Sequence, residues 1–281
     1  MILLIIGLFC LVGGLSVRVT TRRLWRDVEH LDPSTTESID SIVMLPATSY
    51  REAPRVAPPF EGRPVRLRGR VVGGSYATLQ TFDGRPAVFT LRGFQAGARG
   101  RGGFEVERED FWLEDGGDHR ACVRLSRTAG IPAMSGVPRV TGARRPEPIF
   151  YGQSSMFLHA SDESYDKWAG AETHRMTETQ RAWVLERLKW MSDAAFMRVT
   201  EQAIAPGDEV TVAGVATWDG RQLVVDGDAG NGHPLRIANT PFEEVSRFAK
   251  SYRRQSDLFV IAGATLTVIW LGAQALGLSL F

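Results

Sequence analysis

Two long apolar runs bracket the chain, and between them the hydrophobic positions recur on shorter periods. From Leu258 to Phe281 the sequence LFVIAGATLTVIWLGAQALGLSLF carries no charge over 24 residues. A helix rises ~1.5 Å per residue, so this run reaches ~36 Å against a hydrocarbon core of ~30 Å, and a transmembrane helix is predicted over 258–281. At the other end, Ile2 to Val17 (ILLIIGLFCLVGGLSV) gives 16 uncharged residues, or ~24 Å of helix. No Lys or Arg precedes that run and no small-residue cleavage site follows it, as a removable signal peptide would require. It is read as a retained transmembrane helix over 1–17, with Arg18 reaching back to the interface.

The middle of the chain changes period several times. Residues 18–63 read as a juxtamembrane helix, broken at Asp32 and Pro33, followed by a Pro-containing tether. A strand pattern starts at Pro64: in GRPVRLRGRVVGG, Val65, Leu67 and Val71 alternate with Arg66, Arg68 and Arg70, and Gly69 takes one inward place. RPAVFTLRGF and GGFEVEREDFWLEDGGDHRACVRLS continue the alternation, which predicts four or five antiparallel strands over 64–126. Residues 127–176 lose it and are expected to be loop, with a short helix near 161–169. A helix is predicted over 177–197, where Thr177 and Gln180 have capping-box spacing and Val184, Leu188, Met191 and Ala195 share a face that Trp183 and Trp190 widen. Strands return over 207–240, completing a β-rich domain over 64–245 ahead of a basic segment at 246–257.

Within EQAIAPGDEVTVAGVATWDG the pattern G-x-x-V-x-[VL]-x-G runs from Gly207 to Gly214, and it has an echo from Gly62 to Gly69. Pro206, Gly207 and Asp208 read as a turn that launches a strand. Gly214 reads as a place where the strand bends, and Asp219-Gly220 as a hairpin. The fold expected is mainly β with some α: an OB-like β-barrel, or a pair of small barrels, between two transmembrane helices.

Charge changes the picture at the span ends only. Lys plus Arg total 33 against 32 for Asp plus Glu, so bulk charge does not mark a nucleic-acid binder. Arg18, Arg22, Arg23 and Arg26 follow the first span, and Arg247, Lys250, Arg253 and Arg254 precede the second. Basic flanks stay on the cytoplasmic side. The expected location is therefore a bacterial inner membrane with residues 18–257 facing the cytoplasm. The only cysteines, Cys10 and Cys122, exclude a disulfide framework and a cysteine-rich zinc site.

Candidate chemistry is sparse. There is no P-loop or dinucleotide fingerprint, and GGSYATLQ lacks the phosphate-binding lysine. There is no G-x-S-x-G, and the serines of YGQSSM have His159 near them in sequence alone. Asp115, Asp118 and His119 share one turn and Asp226 and Asp228 another, but neither has metal-site spacing, so both read as solvated hairpin tips. Glu105, Glu107 and Glu109 read as the wet face of a strand. GARGRGG at 97–103 reads as a hairpin loop in preference to an RNA-binding segment. No catalytic, cofactor-binding or metal-ligating residue is assigned, and no cofactor is expected.

The order of these parts resembles the GIDE domain, also called the beside-a-membrane domain, of the mitochondrial GIDE or MULAN type E3 ubiquitin ligases. The likeness rests on VRLRGRV, GRPAVFTLRGF, FWLEDGGDHRACVRL and above all RVTEQAIAPGDEVTVAGVATWDGRQLVVDGD between two spans. In those ligases transfer depends on a RING of Cys and His ligands. No residue of this sequence corresponds to it, so ligase activity does not carry over. What the resemblance implies is a non-catalytic module, held beside a membrane, that binds or scaffolds a protein or lipid partner, with a homo-oligomer left open. The alternatives are a component of an E3-ligase-like system whose RING lies on another chain, and an OB-like binder of single-stranded nucleic acid. The mitochondrial relatives place the domain on the intermembrane side, against the cytoplasmic orientation that the arginine flanks favour.

Overall fold

The computed structural model describes residues 2–45, 55–56, 60–73, 79–97, 101–125, 149–152, 154–160, 173–188, 196–218, 221–227, 233–240 and 242–276. The chain divides into a helical unit, 1–32 with 241–281, and a β-rich unit, 33–240.

The helical unit is an antiparallel pair. α1 (Ile2–His30) runs unbroken through the predicted first span and the juxtamembrane helix. In the β-rich unit follow α2 (Ile39–Val43), β1 (Met44–Leu45), β2 (Arg55–Val56), β3 (Phe60–Val72), β4 (Leu79–Gln80), β5 (Pro86–Ala87), β6 (Phe89–Ala96) and β7 (Arg101–Arg108). Then come β8 (Phe111–Glu114), β9 (Arg120–Val123), β10 (Ile149–Tyr151), β11 (Ser155–His159), β12 (Thr173–Arg175), α3 (Glu178–Arg187), β13 (Met197–Ile204), β14 (Glu209–Trp218), β15 (Leu223–Asp226) and β16 (Arg236–Ala238). α4 (Phe242–Ala275) joins the basic segment and most of the second apolar run in one helix.

Five strands close into a barrel, in the order β3-β8-β9-β15-β14 and back to β3. All its pairings are antiparallel except β9 with β15. β10 and β16 extend this sheet beyond β14. Val65, Leu67 and Val71, which the alternation marked as inward, are buried in one core with Leu113, Val123, Val210, Val212 and Val225.

The echoing strands prove to be neighbours. β14 lies antiparallel on β3, with Val210 opposite Gly69, Val212 opposite Leu67 and Gly214 opposite Val65. Both leading glycines have positive φ, 74° at Gly62 and 94° at Gly207, a conformation that glycine alone takes freely. The trailing glycines sit where the barrel wall closes. A Cβ at Gly214 would lie 2.6 Å from the carbonyl oxygen of Asp226 on β15, and one at Gly69 would strike the carbonyl of Glu114 on β8.

A second sheet, ordered β12-β11-β13-β6-β7, is built from two insertions into the barrel. Among the described residues it is open, so that in place of paired small barrels there are one barrel and one sheet. Three further expectations are corrected. The tether is partly structured: Ile39, Ile42 and Val43 of α2 are buried in the barrel core, and burial of such side chains is worth ~1.5–3 kcal/mol each. The region read as loop over 127–176 holds β10, β11 and β12. These strands are three to five residues long, too short to show a period. The helix predicted over 177–197 is α3, which ends at Arg187 with Leu188 as its C-cap, and Met197 already belongs to β13. Thr177 and Gln180 do form the capping box. Met191, Ala195, Trp190, the 161–169 segment and Asp219-Gly220 lie outside the described residues.

Candidate functional site

The densest polar constellation lies between α3 and the second sheet. Arg92 on β6 and Glu201 on β13 are paired across the two strands, and both are almost wholly buried, at 5% and 4% exposure. Arg92 Nε donates to Glu201 Oε1 at 2.7 Å, Nη1 to Glu107 Oε2 at 2.7 Å, and Nη2 to the carbonyl of Gln80. Glu201 also accepts the amide of Phe82 at 2.8 Å. Gln180 serves twice: its carbonyl oxygen caps α3 by accepting from Thr177 N, and its Nε2 donates to Phe82 O at 2.9 Å. The turn at Phe82 is thereby clamped between the sheet and the helix.

Trp183 of α3 closes the cluster. Arg187 lies 3.6 Å over its ring and Arg92 5.5 Å away, while Phe82 and Phe94 meet it edge to face. Arg187 in turn donates to Glu105 at 2.9 Å. Glu105 and Glu107 are thus half-buried under α3 and ion-paired, not the wet strand face expected of them. Each guanidinium nitrogen of Arg92 has an acceptor, and the cluster holds the helix on the sheet. No side chain in it is poised as a nucleophile with an adjacent base.

The EDGGDHR hairpin is also less free than its composition suggests. Asp115 Oδ2 accepts the amide of Ile39 at 2.6 Å, at the start of α2. Asp40 accepts from His119 Nδ1 at 2.8 Å and from the amides of Asp118 and His119 at 3.1 Å. The solvated tip is in fact a clamp between the hairpin and the barrel's helical plug. The His119 hydrogen bond, followed by the Asp118 amide, holds the Asp40 carboxyl below its ordinary pKa, while burial pushes weakly the other way. A carboxylate with a depressed folded pKa stabilises the fold above its unfolded value of ~3.9, and that contribution is lost as pH falls through the folded pKa. The protection of the Asp118 and His119 amides, relative to their intrinsic exchange at each pH, is therefore expected to fall on acidification below pH ~4. Asp40→Asn should flatten that dependence, and an unchanged pH profile in the variant would remove Asp40 from the account.

The remaining candidates do not converge. Asp226 accepts from the neighbouring Gly227 amide, and Asp228 lies outside the described residues. The amide of Glu109 donates to Val88 O. His159 and Ser155 sit at opposite ends of β11. In the 97–103 stretch, Gly97 turns with φ 74°, residues 98–100 lie outside the described residues, and the rest begins β7. Of GGSYATLQ, 74–78 lie outside the described residues and Leu79–Gln80 form β4. Among the described residues no three His, Cys, Asp or Glu side chains group as metal ligands. Cys122 on β9 has its thiol pKa raised by burial and by the nearby Asp110 charge, which disfavours the nucleophilic thiolate.

The helical unit has the polarity of a water-soluble helix pair turned inside out. Between α1 and α4 lie Gly7, Gly14, Gly263 and Ser256, all buried, and Ser256 Oγ donates to Gly14 O at 2.9 Å. A Cβ at Gly263 would lie 2.8 Å from Gly7 O, and one at Gly14 2.9 Å from Val260 N. Small residues let two backbones approach this closely, as in helix pairs packed within lipid. The large apolar side chains point outward instead, Phe9 being 80% and Val268 68% exposed. α4 is long and apolar enough to cross a membrane, and α1 carries the shorter apolar stretch Leu4–Val19. No family model, curated protein or solved structure matches this chain.

Proposed function

We propose that the chain is a two-span membrane protein whose β-rich unit is a non-catalytic module that binds or scaffolds a protein or lipid partner at the membrane surface. The observation that carries the reading is the inverted polarity of the helix pair. Apolar side chains outside and glycines inside are costly in water and favourable in lipid. The Arg92–Glu201 and Asp40–His119 clusters are hydrogen-bonded among themselves, which suits a rigid platform better than a reaction centre. The barrel order β3-β8-β9-β15-β14, with β9 and β15 parallel, supports the OB-type reading of the fold. It fits the proposed kinship with the GIDE domain.

The basic ends of α1 and α4 support a cytoplasmic β-rich unit in an inner membrane. The test is extraction and labelling of the full chain. It is expected to stay with the membrane through alkaline carbonate, and a cysteine introduced at Gly116, an exposed hairpin position, is expected to be labelled only after the cells are opened. Release by carbonate would end the two-span reading. Labelling of intact cells would reverse the orientation.

The OB-type strand order also favours a second reading, a single-strand nucleic-acid binder. Against it, the outward arginines of β3 are engaged locally: Arg63 with Glu37 at 2.5 Å, Arg66 with Thr35 at 2.6 Å and Arg68 with Glu209 at 2.9 Å. Retention of the detergent-solubilised chain on single-stranded DNA, abolished by moderate salt, would favour this second reading.

A further inference from the structure

We infer that the helical unit carries a binding belt for anionic phospholipid headgroups, a deepening that rests on the two-span reading above. The belt lies at the charged end of the helix pair. Arg18 and Arg22 stand one turn apart on α1, while Arg247, Lys250, Arg253 and Arg254 occupy two turns of α4. Because the helices are antiparallel, Gly14 meets Ser256 and Arg18 meets Asp257 at 3.9 Å. The two groups of cations therefore come to one level, just past the apolar stretch that ends at Val19.

The charge there is almost all of one sign. Among the described side chains the belt holds six cations and a single carboxylate, Asp257, which faces Arg18. Glu243 and Glu244 lie a turn further away, at the N-terminus of α4, where the helix dipole already favours negative charge. Arg22, Arg247, Lys250, Arg253 and Arg254 are all exposed, and none makes an ion pair among the described residues. Arg247, Lys250 and Arg254 follow a spacing of three and four, so they share a face of α4.

Position selects the partner. A basic cluster on a soluble surface fits any polyanion, but this one borders two helices whose outward side chains are Ile5, Leu8, Phe9, Phe259 and Ile261. A ligand that fills both surfaces has an anionic head beside acyl chains. Guanidinium groups bind phosphate through paired donors, and Lys or Arg at a membrane surface favours anionic lipid by roughly fivefold per residue before screening. Soluble phosphate meets only half of this site.

The test uses the full chain in phosphatidylcholine vesicles with a trace of spin-labelled lipid, reading the motionally restricted fraction for phosphatidylglycerol against phosphatidylcholine. The wild type is expected to restrict phosphatidylglycerol roughly fivefold or more in preference at low salt, with the preference falling as salt rises. The variant R22Q/R247Q/K250Q/R253Q/R254Q keeps Arg18, Asp257 and the glycine seam, and is expected to show a preference near unity with unchanged helicity. A wild type that resists carbonate but has no lipid preference overturns the belt and leaves the two-span reading standing. So does a preference that the variant retains, or one that inorganic phosphate at millimolar concentration abolishes at constant ionic strength. A chain that carbonate strips from the vesicles overturns both.

Discussion

Gly69→Ala and Gly214→Ala are each expected to cost the β-rich unit about 3 kcal/mol or more, and the corresponding valines to prevent barrel closure altogether. The reason is local and steric. At Gly69, β3 leaves β14, with which it pairs up to Arg70, and takes up β8 through Arg70, Val71 and Val72. At Gly214, β14 is about to take up β15. A barrel of five strands must turn its walls sharply, and at both turns the missing Cβ would occupy the space of a neighbouring backbone carbonyl, Glu114 O or Asp226 O. A backbone atom cannot rotate away as a side chain does.

The comparison that isolates this cause is with Gly62 and Gly207. Both have positive φ but nothing within 4 Å of an added Cβ. Alanine there should cost only the left-handed backbone penalty of ~1–2 kcal/mol. Thermal unfolding of the four alanine variants, followed by near-ultraviolet dichroism in detergent, separates the pairs. Four equal losses would remove wall closure as the reason for glycine at 69 and 214, since neither has a positive φ to explain it.

Arg92→Met is expected to destabilise by ~3–5 kcal/mol, since it leaves Glu201 buried without its counter-charge, and Glu201→Leu by less, since Arg92 keeps its pair with Glu107. The double variant R92M/E201L should recover much of that loss, because two apolar side chains of similar volume carry no desolvation cost. Glu107 is over a third exposed and can turn to water once Arg92 is gone. Arg187→Ala should cost less, about 1 kcal/mol, because its pair with Glu105 is partly solvated. A double-mutant cycle reads the coupling directly. Additive losses for Arg92 and Glu201 would mean that the two act through separate contacts.

The network was half legible. On β13 the apolar phase runs Met197, Val199 and then Glu201, and on β6 it runs Ala96, Phe94 and then Arg92. A charge on the buried phase of a strand is the signal for an internal ion pair, and two such strands invite the pairing that the structure contains. What hid it was Glu105 and Glu107. Beside β-branched and aromatic neighbours they read as an outward row, because nothing in β7 itself tells that α3 covers them. The hairpin clamp was hidden in the same way, since Asp40 and His119 lie far apart in the chain and meet only across the barrel's mouth.

Local physics determined a good deal from sequence alone. An uncharged run of 24 residues is long and apolar enough for a helix that crosses a membrane, so the apolar part of α4 was readable. Period two places one face of β3 and β14 inward whatever they pack against, and a Thr-x-x-Gln cap satisfies its own helix start. The glycine echo marked two bends before any neighbour was known. Tertiary structure alone decided that the echoing strands lie side by side, that the barrel is single, that the second sheet is open, and that the supposed tether plugs the core. Those are statements about which surfaces meet, and the free energy of burying a surface depends on its partner, which no window along the chain contains.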